Sequence, residues 1–386
     1  MALDVQGTDY LKLPVGTTGQ RPSVPASGMI RINTTTGNPE WWDATSLTWL
    51  LFSQQSVNSV NTFNFKNRII NGAMQIDQRN AGASVTPTDN AYTLDHWINK
   101  LTQASKYSVQ QNAGSITPPV GFTNYLGITS LSAYSVLTGD TFSASQAIEG
   151  LNISDLGWGT ANAKTITLSF QVYSSLTGTF GGVFGNNAGN RSYPFSYSIP
   201  VANTWTTISV TVAGDTTGTW LTTNGIGIIV RFGLGSGSTY TSTAGAWTSG
   251  GFIQPTGTVS VVGTSGATFY ITGVQLEVGS TATSFDVRDA GRELIMCQRY
   301  YETGWLFVGG AYPTGSSGAT TYGSAVFKVT KRAPPTMSQT ASSSSSNVSA
   351  NSFLGPTTDS VGVAAIIGAS IGNYYLVLNW TSSAEL

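Results

Sequence analysis

The chain has 386 residues, only 9% of them charged, and a net charge of −1 at pH 7. That balance leaves no electrostatic footprint for nucleic acid, and 40% hydrophobic with 11% aromatic residues excludes a disordered chain, which is aromatic-poor and highly charged. The single cysteine, Cys297, rules out an intrachain disulfide.

The 45 glycines, with abundant Ser, Thr and Asn, suit a β protein with many tight turns. A surface this neutral lacks the repulsion that keeps monomers apart, which favours a stable oligomer. Residues 1–20 lack the basic region and apolar run of a secretory signal. The one apolar stretch of membrane length, residues 361–378, is broken by Ser370, Asn373 and three glycines. It reads as two strands joined at 370–373, so no membrane insertion is expected.

In chain order, residues 1–60 are cut by Pro14, Pro22, Pro25 and Gly28 into short strands. Residues 29–33 and 40–42 flank a turn, and Trp41, Trp42, Trp49 and Phe52 form an aromatic cluster too large for so small a unit to bury alone. Residues 54–62 are polar and read as a linker. In the segment that follows, Trp97 and Tyr92 are expected core anchors, and Arg79 with Asp95 a partly buried structural pair. From 107 to 278 the alternation is regular. Ile166, Leu168, Phe170 and Val172 share one face, as do Ile208, Val210 and Val212, and then Ile226, Ile228, Val230 and Phe232. This predicts antiparallel strands with one buried face, stacked as a jelly-roll sandwich. Parity slips at Gly273, where a β-bulge is expected. Residues 289–301 carry helical spacing through Leu294, Cys297 and Tyr301. Cys297 there is expected to be a packing residue. Short strands follow at 305–308, 324–330, 361–367 and 374–380, with the serine tract 341–352 as a flexible loop.

Four stretches resemble proteins of bacteriophage tails. Residues 11–49 resemble a small β module that recurs in tail fibre and other virion proteins. Asn71, Gly72, Gln78, Arg79, Tyr92, Asp95 and Trp97 resemble the opening of a carbohydrate-binding-module-like sandwich of tail fibres, with departures at Met74, Asp77 and His96. The run from Gln275 through Glu277, Phe285, Arg288, Glu293, Leu294, Cys297, Gln298 and Arg299 to Tyr300 and Tyr301 resembles the close of that sandwich, and 327–338 resembles the segment after it. The resemblance implies an all-β chain in three parts: a virion-attachment module at 1–60, a jelly roll at 61–288, and at 289–386 a linking helix with a smaller receptor-binding β-sandwich.

Catalytic chemistry finds little support in the residues. His96, the one histidine, sits beside Trp97 and reads as structural rather than as a general base. One His and one Cys exclude an ordinary zinc site. Asp, Glu and backbone oxygens leave room for a structural calcium without pointing to its ligands. A glycosidase needs two carboxylates across one sugar, and 18 acidic residues do not exclude such a pair. Sugar binding needs aromatic platforms beside hydroxyls or amides. The candidates are Trp158, Trp205, Trp220 and Trp247 in the sandwich, and Trp305, Tyr312, Tyr322 and Tyr375 in the last part. Each is either a platform or a core or interface aromatic. The resulting expectation is a non-enzymatic, homotrimeric tail fibre subunit in the phage virion, joined to other virion proteins by its N-terminus and binding host-surface saccharide. The rivals are a purely structural virion component and a polysaccharide depolymerase.

Overall fold

The alternating segments build paired sheets in a computed structural model, which describes residues 13–45, 47–51, 66–312, 318–341, 343–368 and 372–386, with only the backbone of Tyr312. The expected linker at 54–62 and Phe52 lie outside the described residues. The described chain forms two compact units, 13–51 and 66–386.

The first unit is one four-stranded sheet of β1 (Val15–Gly16), β2 (Ile30–Asn33), β3 (Asn38–Asp43) and β4 (Thr48–Leu51), in that order. The expected turn between β2 and β3 is present. The unit is centred on an ion network as much as on apolar side chains. Glu40 is fully buried and takes Arg21 at 2.6 Å, Arg31 at 3.4 Å and the Asn33 amide at 2.9 Å. The side-chain hydrogen bond from Arg21 holds the Glu40 carboxyl below its ordinary range.

The second unit begins with the sandwich. Its strands are β5 (Tyr92–Leu94), β6 (Trp97–Leu101), β7 (Tyr107–Gln111), β8 (Leu126–Ser130), β9 (Thr141–Glu149), β10 (Ile166–Ser174), β11 (Gly178–Gly185) and β12 (Arg191–Ile199). They continue with β13 (Thr206–Val212), β14 (Ile226–Ser236), β15 (Thr241–Ser242), β16 (Thr248–Ser249), β17 (Gln254–Pro255) and β18 (Thr268–Val278). A five-stranded sheet, β13-β10-β18-β8-β7, faces a seven-stranded one, β16-β12-β11-β14-β9-β6-β5. One core joins them, with Leu168, Phe170, Val172 and Ile271 from the first sheet and Trp97, Phe142, Phe180, Val230 and Phe232 from the second. The predicted bulge is present. Ser169 pairs with Gln275 and Gln171 with Thr272, so Gly273 and Val274 together oppose Phe170. Gly273 takes φ +61, the left-handed conformation such a bulge uses and a β-carbon resists.

After β18 the chain enters α1 (Ala290–Gln298), capped by the Asp289 carboxylate accepting from the Arg292 amide. The helix stops at Gln298 rather than 301, because Tyr301 opens the next strand. Cys297 is buried against Ile70 and Tyr300, and burial pushes its thiol up, as a packing role requires. The last part is a second sandwich. Its strands are β19 (Tyr301–Tyr312), β20 (Thr320–Val326), β21 (Thr336–Gln339), β22 (Ser344–Ser346), β23 (Val348–Leu354), β24 (Ser360–Ile367) and β25 (Gly372–Ser383). One sheet joins β19-β25-β21 with β22 also on β25, and the other is β20-β24-β23. Val308, Leu376 and Leu378 meet Val363, Ala365 and Ile367 between them. Two expectations are corrected. The strand expected at 324–330 lies at Thr320–Val326, and much of the serine tract is β22 and β23. Backbone pairing to β25 and β24 supplies what their side chains cannot. No described helix is long and apolar enough to cross a membrane.

Between the sandwiches lies a seam of buried charge. Glu149 accepts both Arg299 nitrogens, at 2.7 and 2.9 Å, and the Tyr300 hydroxyl at 2.7 Å. Lys331 pairs with Glu302 with both side chains fully covered. Arg79 is not paired to Asp95 as expected. It binds Glu385 and lies 3.7 Å over the Tyr301 ring. His96 Nδ1 meets the other Glu385 oxygen at 2.8 Å, so the histidine is structural. Trp97 is in the core, whereas Tyr92 is half-buried and its hydroxyl donates to Leu386 O at 2.6 Å.

Asp95 is left with Gln78, whose amide and Nε2 donate to it at 2.7 and 2.6 Å. Burial outweighs those bonds and pushes its carboxyl up to about 6. A carboxyl raised above its unfolded value binds more protons in the folded state, so stability grows as pH falls from above 6 towards 4. Urea unfolding at pH 7.5 and pH 5 should show the wild type gaining about 1.4 kcal/mol over Asp95→Asn on acidification. A gap that stays constant or reverses would refute this assignment.

Candidate functional site

Four of the predicted aromatics belong to the first sandwich, and two of them are interior. Trp158 and Trp220 keep 6% and 8% of their surface, so neither has a ring face left for a sugar, which corrects the expectation for both. With Trp247 they form a triad of edge-to-face rings, with centroids 4.8–5.4 Å apart. Their indole nitrogens are taken by Lys164 O, Asp215 Oδ2 and Ala213 O respectively. Trp205 is half-buried on the outer face of the five-stranded sheet, against Tyr125 and Tyr173, and donates to Thr117 O at 2.9 Å. Tyr173 and Tyr270 stack there at 5.5 Å with their planes 6° apart.

The open aromatics are in the second sandwich. Along β19, Glu302 and Val308 point inward while Trp305 and Phe307 point outward, 67% and 55% exposed. The register of β25 sets Asn379 opposite Trp305, Val377 opposite Phe307 and Tyr375 opposite Gly309. β22 then adds Ser344 beside Val377 and Ser346 beside Tyr375. Gly309 gives the Phe307 ring room to lie along the strand, since a β-carbon there would meet it at 2.6 Å. The result is an open face of three aromatic side chains bordered by one amide and two hydroxyls, without a charge among them. Such a surface stacks on the apolar face of a pyranose and hydrogen-bonds its rim.

Tyr322 is equally open but lies on the outer face of the other sheet, with Val326, Ile366 and Leu354 around it. The structure thus brings Trp305 and Tyr375 together and leaves Tyr322 apart. The Tyr312 side chain lies outside the described residues. Phe307 was missed by a search for Trp and Tyr, although its two-residue offset from Trp305 puts it on the same face. Among the described residues no three His, Cys, Asp or Glu side chains are placed to hold a metal ion.

No protein-family model matches the chain, and neither does the sequence of any curated protein. Solved structures with some likeness include the enzymatically active domain of tailspike protein 4 of bacteriophage CBA120. It shows 15% identity and a TM-score of 0.30, over 55% of this chain and 21% of that one. A family 11 carbohydrate-binding module of a Clostridium thermocellum cellulosomal cellulase shows 12% identity and a TM-score of 0.27, over 52% and 98% of the chains. A xylan-binding domain from Paenibacillus barcinonensis shows 9% identity and a TM-score of 0.25, over 53% and 99%.

The two classes of tryptophan separate in a stability measurement. Trp158→Ala should cost about 3–5 kcal/mol in urea unfolding, because it empties a packed triad. Trp305→Ala should stay within about 0.5 kcal/mol of wild type, because it empties nothing. Equal losses for the two would refute the assignment of Trp158 to the interior and Trp305 to an open face.

Proposed function

We propose that the chain is a non-enzymatic subunit of a phage tail fibre that binds host-surface saccharide through the Trp305, Phe307 and Tyr375 face. The observation that carries this reading is the uncharged aromatic face itself, edged by Asn379, Ser344 and Ser346. The placement in a virion is supported by the sequence resemblance to tail proteins over most of the chain.

Attachment to the virion is assigned to the first unit. Pro14, Val15, Pro22, Met29, Ile30 and Trp49 line a cleft of about 300 Å³ there, and Val15, Val24 and Leu47 are more than half exposed. So much open apolar surface on so small a sheet suits a partner protein. A homotrimer is assigned through the opposite side of the second sandwich, where Tyr322, Val326, Ile366 and Leu354 form a second uncharged face. Three copies converging on that face would cover it around one axis. The absence of enzymatic activity is supported by how the buried carboxylates are used. Glu40, Glu149, Asp215, Glu302 and Glu385 each sit in an ion pair, and Asp95, which has none, is wholly covered, whereas a glycosidase acid needs a carboxyl open to a sugar.

Light scattering of the full chain should give three times its 40.4 kDa mass. The double variant Trp305→Ala with Phe307→Ala should keep that mass and its melting temperature while losing at least about tenfold in binding to host cells, the cost of a stacking pair. Unchanged cell binding by that variant would refute the site, a monomer would refute the trimer, and release of reducing ends from host polysaccharide would refute the non-enzymatic reading.

A further inference from the structure

The chain contains two Asn-Gly pairs, Asn71 with Gly72 and Asn224 with Gly225. Such a pair is chemically labile, because a glycine nitrogen has no β-carbon beside it and can reach the γ-carbon of the side chain before it. The fold treats the two in opposite ways. Asn71 is fully buried and its whole side chain is engaged: Nδ2 donates to Ile76 O and Asp95 O, and Oδ1 accepts from Ile76 N. Asn224 is exposed, in the loop that leads into β14, and its side chain makes one bond, from Nδ2 to Arg332 O at 3.2 Å.

The backbone of that loop is pinned at three consecutive carbonyls. Leu151 N donates to Thr223 O and Gly150 N to Gly225 O, both at 2.8 Å. Between them Asn224 O accepts from Arg332 Nη1 at 2.8 Å. The same guanidinium donates from Nε to Ala384 O and from Nη2 to Glu385 O, so it clasps the first sandwich to the residues just after β25. Gly225 N donates to no described residue. That nitrogen belongs to the same peptide group as the Asn224 carbonyl. A permanent cation on the carbonyl oxygen draws charge from the group and favours loss of the N–H proton.

We propose that Asn224 is a self-modification site at the joint between the sandwiches: it converts spontaneously to isoaspartate and so opens the Arg332 clasp. Hydroxide takes the Gly225 N–H proton, the nitrogen attacks Asn224 Cγ, and Nδ2 leaves as ammonia with a proton from water. A cyclic imide remains. Water then adds to one imide carbonyl, and the bond from that carbon to Gly225 N breaks. Arg332 Nη1 polarises the former backbone carbonyl, so water adds there and the chain continues through Cγ. Nothing is oxidised or reduced. The product carries a new carboxylate and an extra methylene in its backbone. Carbonyls pinned on both sides leave no slack for that methylene, so the bond to Arg332 gives way. The second sandwich then loses a contact that steadies it, whatever its open face binds.

The test incubates the full chain at pH 8.5 and 37 °C, folded and in urea. Both sites are followed by peptide mapping, with enzymatic methylation to count isoaspartate. In urea both pairs should react. In the folded chain Asn224 should convert while Asn71 lags by at least about tenfold, because its reaction waits on local opening. Gly225→Ala should fold, since its β-carbon would press first on the flexible Leu221 side chain at 3.2 Å, and it should slow the conversion. Arg332→Gln should slow it too and shift the product from isoaspartate towards aspartate. The aged fraction, separated by its extra negative charge, should melt below fresh protein. Asn224→Asp, which adds the charge without the methylene, should not. An Asn224 that stays intact in the folded chain while reacting in urea overturns the proposal, as does an Asn71 that keeps pace with it. Wild-type rate and product in Arg332→Gln would overturn the part given to the guanidinium. An aged fraction that melts like fresh protein would overturn the opening of the clasp.

Discussion

The seam of buried ion pairs is what the rest of the second unit depends on. In a chain with 9% charged residues, a disproportionate share of the charge is spent where two sandwiches meet. Glu149 with Arg299 and Tyr300, Glu302 with Lys331, and Glu385 with Arg79 and His96 each join segments far apart in sequence. Such pairs contribute little net stability against an apolar alternative, but losing one partner strands a charge at a cost of about 3–5 kcal/mol. The seam therefore tolerates very few other arrangements. It fixes how the open face of β19 and β25 is presented relative to the first sandwich.

Much of the architecture was legible in the sequence because alternation is a local property. Ile166, Leu168, Phe170 and Val172 could only face one way on a strand, and they do. The bulge at Gly273 was legible as a slip of parity. What alternation does not encode is partnership. Arg79 and Glu385 are separated by 306 residues, so nearness in sequence to Asp95 misdirected the expected pair. The strands at 344–346 and 348–354 carry almost no apolar signal. Their existence depends on the neighbouring strands, whose backbone groups needed partners.

The site was less legible than the fold. A tryptophan has the same letter whether it lies in a triad or on an open face, and Trp158 and Trp305 differ only through what packs over them. Composition gave one lasting clue to the surface: with so few charges, an open face is apt to be aromatic and hydroxyl-bearing, as the one around Trp305 is.

The path of the chain through the seam also has a mechanical side. The second sandwich is held at two points of its strand pair. Tyr300 and Glu302 anchor the start of β19, and the residues just after β25 return beside them, where Ala384 N donates to Tyr300 O and Glu385 meets Arg79. A domain on a single tether swivels freely when tugged. One gripped through both strands of an antiparallel pair at their shared end resists torque, because rotation would have to shear two sets of contacts at once. A pull on the second sandwich would then be carried through the joint as tension along β19 and β25, with little lost to slack.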